Sequence, residues 1–130
     1  MKIDQVTEES IRLLVDTFYK QVRVHDDLGP VFNNAIGGDD VAWGPHLSKM
    51  YHFWSSVMLT SGRYHGTPMQ KHQDLPRFDE GLFDQWLALF EETARSIHSD
   101  DIADQYAEKS QRIANSLKLS LYYKLEKAAP

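Results

Sequence analysis

Six histidines carry most of the coordinating chemistry open to this chain: His25, His46, His52, His65, His72 and His98. Cysteine is absent, so any metal must bind through imidazole, carboxylate or phenolate, and disulfides, zinc ribbons and iron–sulfur clusters are excluded. His72 stands where the chain turns, between a short segment led by Pro68 and the Leu75-Pro76 pair, and a metal ligand could sit there. His46 lies on a different segment. At about 100° per residue it shares a helical face with Met50, Phe53 and Val57, with Trp54 on the margin. Two imidazoles facing one cavity could hold or flank an iron cofactor.

Each histidine must be weighed against an ordinary role. His25 and His98 fall near the ends of predicted helices, where the C-terminal dipole accounts for an imidazole. His52 projects about 120° from His46 on the same helix, so that pair cannot chelate one metal. An inward His46, taken alone, is a core or boundary histidine satisfied by a hydrogen bond. The aromatic set Phe18, Tyr19, Phe32, Phe53, Trp54, Phe78, Phe83, Trp86 and Phe90 is core by default, although Tyr and Trp bring polar tips that need partners.

Other site chemistries lack their motifs. The chain has no His-Glu-x-x-His, no pair of Glu-x-x-His motifs for a di-iron bundle, no phosphate-binding glycine loop and no Gly-x-Ser-x-Gly elbow. What survives is a flank histidine, His72, and a separate inward cluster of Tyr19, His46 and Trp86. That is the arrangement of a pentacoordinate haem with a polar ligand pocket opposite.

The elements that position these residues read as helices throughout. Thr7 caps a helix with Glu8 and Glu9 in its first turn and a stripe of Ile11, Leu14, Val15, Phe18 and Val22, flanked by Tyr19. Asp27-Leu28-Gly29-Pro30 breaks it, and a short turn bearing Val31, Phe32 and Ile36 closes at Gly37-Gly38. A second long helix starts near Asp39 or Asp40 and runs to Ser61-Gly62, with Pro45 tolerated in a first turn or after a break. Residues 61–67 read as a loop before Pro68 opens the piece carrying His72. Asp79 caps the next helix, with Leu82, Phe83, Trp86, Leu89, Phe90, Thr93, Ala94 and Ile97. Ser99 or Asp100 caps the last, with Ile102, Tyr106, Ile113, Leu117 and Leu121.

The fold class is therefore all-α, a single domain over residues 1–130 with a fraying tail at 124–130. The 14 Lys and Arg against 19 Asp and Glu leave a net charge of -5, which disfavours nucleic acid as a partner. The amino terminus lacks a signal-peptide pattern, and no apolar run approaches the roughly 20 residues needed to span a bilayer, so the expectation is a cytoplasmic protein without membrane insertion.

Tyr64-His65-Gly66-Thr67-Pro68, His72, Leu75-Pro76, Phe78, Phe83 and Trp86-Leu87-Ala88-Leu89-Phe90 together resemble a bacterial group III truncated haemoglobin. Phe18-Tyr19, Leu28-Gly29-Pro30-Val31-Phe32-Asn33, Ala35-Ile36-Gly37 and His46 with Phe53-Trp54 extend the resemblance over nearly the whole chain. It implies a shortened globin, two helices over two, holding non-covalent haem b with His72 as proximal iron ligand. It also implies Tyr19 as phenol donor to bound ligand, Trp86 as indole donor beside it and His46 as a distal histidine able to swing. Phe32 then braces the porphyrin, and Met50, Phe53, Leu75 and Phe78 line it. Met50 stands where the family pattern leads one to expect a branched aliphatic residue. Lys49 and Arg77 are charged neighbours suited to the propionates, and a solvated role suits each equally well.

A neutral His72 leaves the sixth iron position open to O2, CO or NO. Bound O2 carries negative charge, so Tyr19 and Trp86 would each stabilise it by roughly 1–3 kcal/mol and together slow its release by roughly 10²-fold or more. The expectation is an O2-binding haem protein in O2/NO chemistry or sensing rather than bulk transport. NO dioxygenase or peroxidase activity is the enzymatic option, served by an electron-donor protein. His46 is the candidate peroxidase base, with no distal arginine beside it. The reading from a different class is a cofactor-free helical interaction module.

Overall fold

The computed structural model describes residues 2–66, 68, 72 and 78–123. Among the described residues five longer helices order the chain: α1 (Glu8–Val24), α2 (Leu28–Ile36), α3 (Asp40–Leu59), α4 (Gly81–Ile97) and α5 (Asp100–Lys118), followed by a π-helical segment, Leu119–Tyr123. The α1–α3 and α4–α5 pairs form the two layers, and α1 joins them by packing on α4 as well as on α2. This is the two-over-two helical sandwich that the resemblance implies. Among the described residues the sole β feature is an isolated bridge, in which Ile3 N–H donates to the Ile97 carbonyl (2.9 Å) and Ser99 N–H donates to that of Ile3 (2.8 Å).

Helix α1 starts where its sequence says it must. The Thr7 and Ser10 side chains each accept the other's backbone N–H, at 3.0 and 2.8 Å, a reciprocal cap that satisfies two orphan donors. The predicted stripe of Ile11, Leu14, Val15, Phe18 and Val22 is buried, each side chain contributing about 1.5–3 kcal/mol for leaving water. Tyr19 is buried beside it. Inside the contact with α4, Gln21 Nε2 donates to Thr93 Oγ1 (3.1 Å), which donates in turn to the Leu89 carbonyl (2.7 Å).

The turn out of α1 is tighter than the sequence suggests. Gly29 and Pro30 lie inside the first turn of α2, where proline's missing N–H has no helical acceptor to lose. His25 Nδ1 accepts the N–H groups of Asp27 and Leu28, each at 3.1 Å, so this imidazole ends α1 and starts α2. A Cβ on Gly29 would come within 3.0 Å of the Arg23 carbonyl oxygen and 3.3 Å of that of Val22. Only glycine lets the two backbones approach this closely.

Pro45 corrects the expectation for α3. It sits in the second turn of an unbroken helix, beyond the place where proline costs nothing. The carbonyl it leaves unbonded belongs to Val41, which is 84% exposed, so water can satisfy it. Asp39 Oδ1 accepts from Ala42 N–H (2.8 Å) to cap the start, and the helix ends at Leu59 with Thr60 in the left-handed conformation (φ 56). Asp79 Oδ1 accepts from Gly81 N–H (2.8 Å) at the start of α4. Small buried residues of α5, Ala103, Ser110 and Ala114, allow it to close on α4.

Candidate functional site

Tyr19, His46, Trp86 and Phe32 come from four helices and meet. The Tyr19 ring lies edge-on to His46 (5.1 Å between centroids) and to Phe32 (6.0 Å), while Phe18, also on α1, makes an edge contact with Trp86 (5.2 Å). Burial raises the Tyr19 pKa, and a hydrogen bond with Trp86 opposes that rise. An indole nitrogen only donates, so Trp86 N–H points to the Tyr19 oxygen and leaves the phenol's own proton free for another acceptor. The two polar tips therefore act in series.

His46 faces the same space. Its Nε2 is buried without a hydrogen-bond partner among the described residues, and its pKa is lowered to about 4 by burial, then by the nearby charges of Lys49 and His72. The imidazole is accordingly neutral at ordinary pH, with Nε2 able to donate or accept according to tautomer. His72 is near enough for its charge to act on His46. His72 Nδ1 lies 2.7 Å from the Pro68 carbonyl oxygen, which can only accept. Nδ1 therefore carries the proton and the lone pair is on Nε2, the arrangement that orients an imidazole for a metal.

Trp43 completes the cluster and is not evident from the sequence. It is fully buried, with centroids 5.7 Å from Tyr19 and 5.3 Å from His46, and its Nε1 donates to the Gly37 carbonyl (2.9 Å) and Asn33 Oδ1 (3.2 Å). The signal available was its place one turn before His46 on the same helix face. Met50 and Phe53 are half-buried against the main core, and Phe53 also meets Tyr64 (5.2 Å). Lys49 is exposed within electrostatic range of His46. Phe78 packs with Phe83 (5.7 Å) in a second, smaller hydrophobic cluster, and Tyr122 donates to its carbonyl (2.6 Å). Leu75 and Arg77 lie outside the described residues.

His98 caps the end of α4, as its position near a helix end leads one to expect, and is fully buried there beside Tyr106. His52 is exposed, as its angle from His46 requires.

The loop leading toward His72 is tied to two helices. Buried Ser55 donates to the Glu8 carboxylate and shares a hydrogen bond with Ser61 (2.7 Å), Arg63 pairs with Glu8 (3.2 Å), and Ser56 Oγ accepts from Tyr64 N–H (2.9 Å). Among the described residues no three His, Asp or Glu side chains cluster to chelate a bare ion. The donor chemistry of His72, with Nδ1 turned to a carbonyl, and of His46, with a buried Nε2 unpartnered among the described residues, fits an iron whose other ligands come from a porphyrin.

An all-helical two-over-two sandwich carrying these histidines is the architecture of a globin. No family model matches the chain. It is 40% identical over 122 residues to the group 3 truncated hemoglobin ctb of Campylobacter jejuni, covering 94% of this chain and 96% of that protein. The crystal structure of the group III truncated hemoglobin from Campylobacter jejuni superposes with a TM-score of 0.91, covering 95% of this chain and 97% of that one. The chain belongs to the group III truncated haemoglobins, a family of haem-based gas binding.

Proposed function

We propose that the chain holds haem b non-covalently through His72 Nε2 and binds O2, NO and CO on the opposite side, serving O2/NO chemistry or sensing rather than bulk transport. The observation that supports this reading is a His72 whose Nδ1 is held by the Pro68 carbonyl, within electrostatic range of a neutral His46 whose buried Nε2 has no partner among the described residues. Bound haem supplies an iron with one coordination position left for a diatomic ligand. Tyr19 offers its phenol proton to that ligand, and Trp86 holds the phenol oxygen so that the proton points away from it. His46 stands beside Tyr19 as a neutral group that fills or clears the approach.

Phe32, Met50 and Phe53 provide apolar walls, and Lys49 lies near enough to act on a propionate. Leu75, Phe78 and Arg77 complete the assignment by resemblance. The protein acts as one domain over residues 1–130 in the cytoplasm, and an electron-donor protein restores the iron. Peroxide reduction is a second reading, favoured by the free Nε2 of His46, which can take a proton from an arriving hydroperoxide.

The test is the absorption spectrum of ferric, ferrous and O2-exposed protein. A Soret band that shifts with ligand supports the proposal. A chain that takes up no haem is instead a cofactor-free helical module.

A further inference from the structure

The Trp43 indole lies between a surface groove and the candidate site. The groove runs between α1 and α3, its lining includes Lys20, Arg23, Asp40 and Leu47, and it reaches down to the buried rings of Tyr19 and Trp43. The same two rings meet His46 edge-on, at 5.1 and 5.3 Å between centroids and 88° between planes in both contacts. His46 therefore stands one ring's thickness from the groove, yet its Nε2 is buried and without a partner among the described residues. Tyr19 is engaged by its hydrogen bond with Trp86, whereas Trp43 has no part in the ligand chemistry proposed above.

Trp43 is tied as a partition and not hung as a shutter. Its edge is tethered, since Nε1 donates to the Gly37 carbonyl (2.9 Å) and to Asn33 Oδ1 (3.2 Å), and Asn33 Nδ2 donates in turn to the Arg23 carbonyl (3.1 Å). Its face is covered, since the Arg23 guanidinium lies 5.1 Å from the ring centroid and pairs with Asp40 at 2.8 Å. Asp40 is 93% exposed, so that ion pair adds little, and the tether and burial supply the hold. To swing, the indole would have to give up both bonds, and an unpaired N–H among aromatic rings opposes the motion. Packing alone would bury a phenylalanine at this place. The Nε1 bonds fix the angle of the ring as well, and with it the side of His46 that the ring covers.

We propose that Trp43 is the fixed wall of the ligand pocket: it closes the α1–α3 groove to water and to diatomic ligands and stops His46 from turning toward that groove. Exchange with solvent is then decided at His46, with no competing route behind Tyr19. Trp43 is a positioning residue, acting on ligand traffic through His46 and through the space it fills. The inference rests on haem being held at His72, and the test separates the two.

Trp43→Leu shortens the wall, and Trp43→Phe keeps a ring but drops the tether. Each is loaded with haem, verified by its Soret band, and followed by laser photolysis of the CO complex and by the infrared C–O stretch. CO association is expected to rise several-fold in Trp43→Leu and less in Trp43→Phe, with the C–O stretch broadened in both as His46 takes up more than one orientation. The increment in rate from Trp43→Leu should be the same in a His46→Leu background, because parallel routes add. In the haem-free full-length chain, the His46 imidazole followed by NMR should titrate at about 4, and Trp43→Leu should shift it upward as the groove admits water. Unchanged association, stretch and titration overturn the wall while the haem assignment stands. An increment that scales with the background rate also overturns it, since Trp43 would then only slacken the His46 route. Where Trp43→Leu does not fold, Trp43→Phe decides by the same rate and stretch. A chain that takes up no haem overturns the haem reading, and the titration alone then decides whether Trp43 walls off His46.

Discussion

If the proposed roles hold, the serial arrangement of Trp86, Tyr19 and ligand would set the O2 dissociation rate in a way that a pair of independent donors would not. Tyr19→Phe removes the proton offered to bound O2, and a hydrogen bond to a charged acceptor contributes about 1.5–3 kcal/mol. At about 1.4 kcal/mol per tenfold, dissociation should speed up about 10- to 100-fold. Trp86→Phe leaves that donor and removes the indole N–H polarising it, while a ring at 86 still stacks near Phe90 and meets Phe18. Cooperative strengthening of about 10–30% of one bond amounts to less than about 1 kcal/mol, a few-fold in rate. The double variant should then release O2 about as fast as Tyr19→Phe alone, because the indole has nothing left to polarise. The assay is stopped-flow displacement of O2 by CO on the four haem-loaded proteins, read as a double-mutant cycle. Trp86→Phe speeding release tenfold or more on its own, with the two effects multiplying in the double variant, would mean that both groups bond the ligand directly.

Three further outcomes are expected. His72→Ala should lose haem on gel filtration, read as a vanished Soret band, and added imidazole should restore it by filling the space left beside the iron; unchanged haem retention would put the proximal ligand elsewhere. Stability of the haem-free chain, measured by urea unfolding, should fall as pH drops from about 6.5 to about 4, since His46 is neutral when folded down to about 4 and takes up a proton sooner when unfolded. His46 alone contributes up to about 3 kcal/mol to that loss, and His46→Gln should make the slope shallower by a corresponding amount; an unaltered slope would place His46 in contact with water. Thr7→Ala should cost about 1 kcal/mol of stability by the same measurement, because the reciprocal cap with Ser10 is broken.

Where local rules act on contiguous residues, the sequence reads directly into the structure. The Thr7 cap, the α1 stripe, the Asp39 cap and the inward side of α3 each follow from side chains a few positions apart. The site was legible as residue types on faces, which is enough to bring Tyr19 and His46 together because each lies on a strongly patterned helix. Three features were hidden because they depend on neighbours distant in sequence. Trp43 enters the pocket only once the α2–α3 corner supplies Gly37 and Asn33 as its acceptors. The donation of Trp86 to Tyr19 needs α4 laid on α1. His98 reads as a helix-end group, and its burial follows only once the amino-terminal segment folds over it through Ile3. Pro45 misleads for the opposite reason, since proline is penalised by a general rule that solvent at Val41 relaxes.

The close approach at Gly29 bears on how this protein can diverge. Backbone meets backbone there, so descendants have almost no freedom at that codon: even a methyl group would press on two main-chain oxygens that cannot rotate away. The helix that carries Phe32 is thus held at a fixed offset from the one that carries Tyr19. Variation in the reach or selectivity of the pocket has to be written in side chains such as Phe32, Met50 and His46, whose replacement leaves the frame intact. One silent glycine at a corner channels innovation onto the residues proposed to face the ligand.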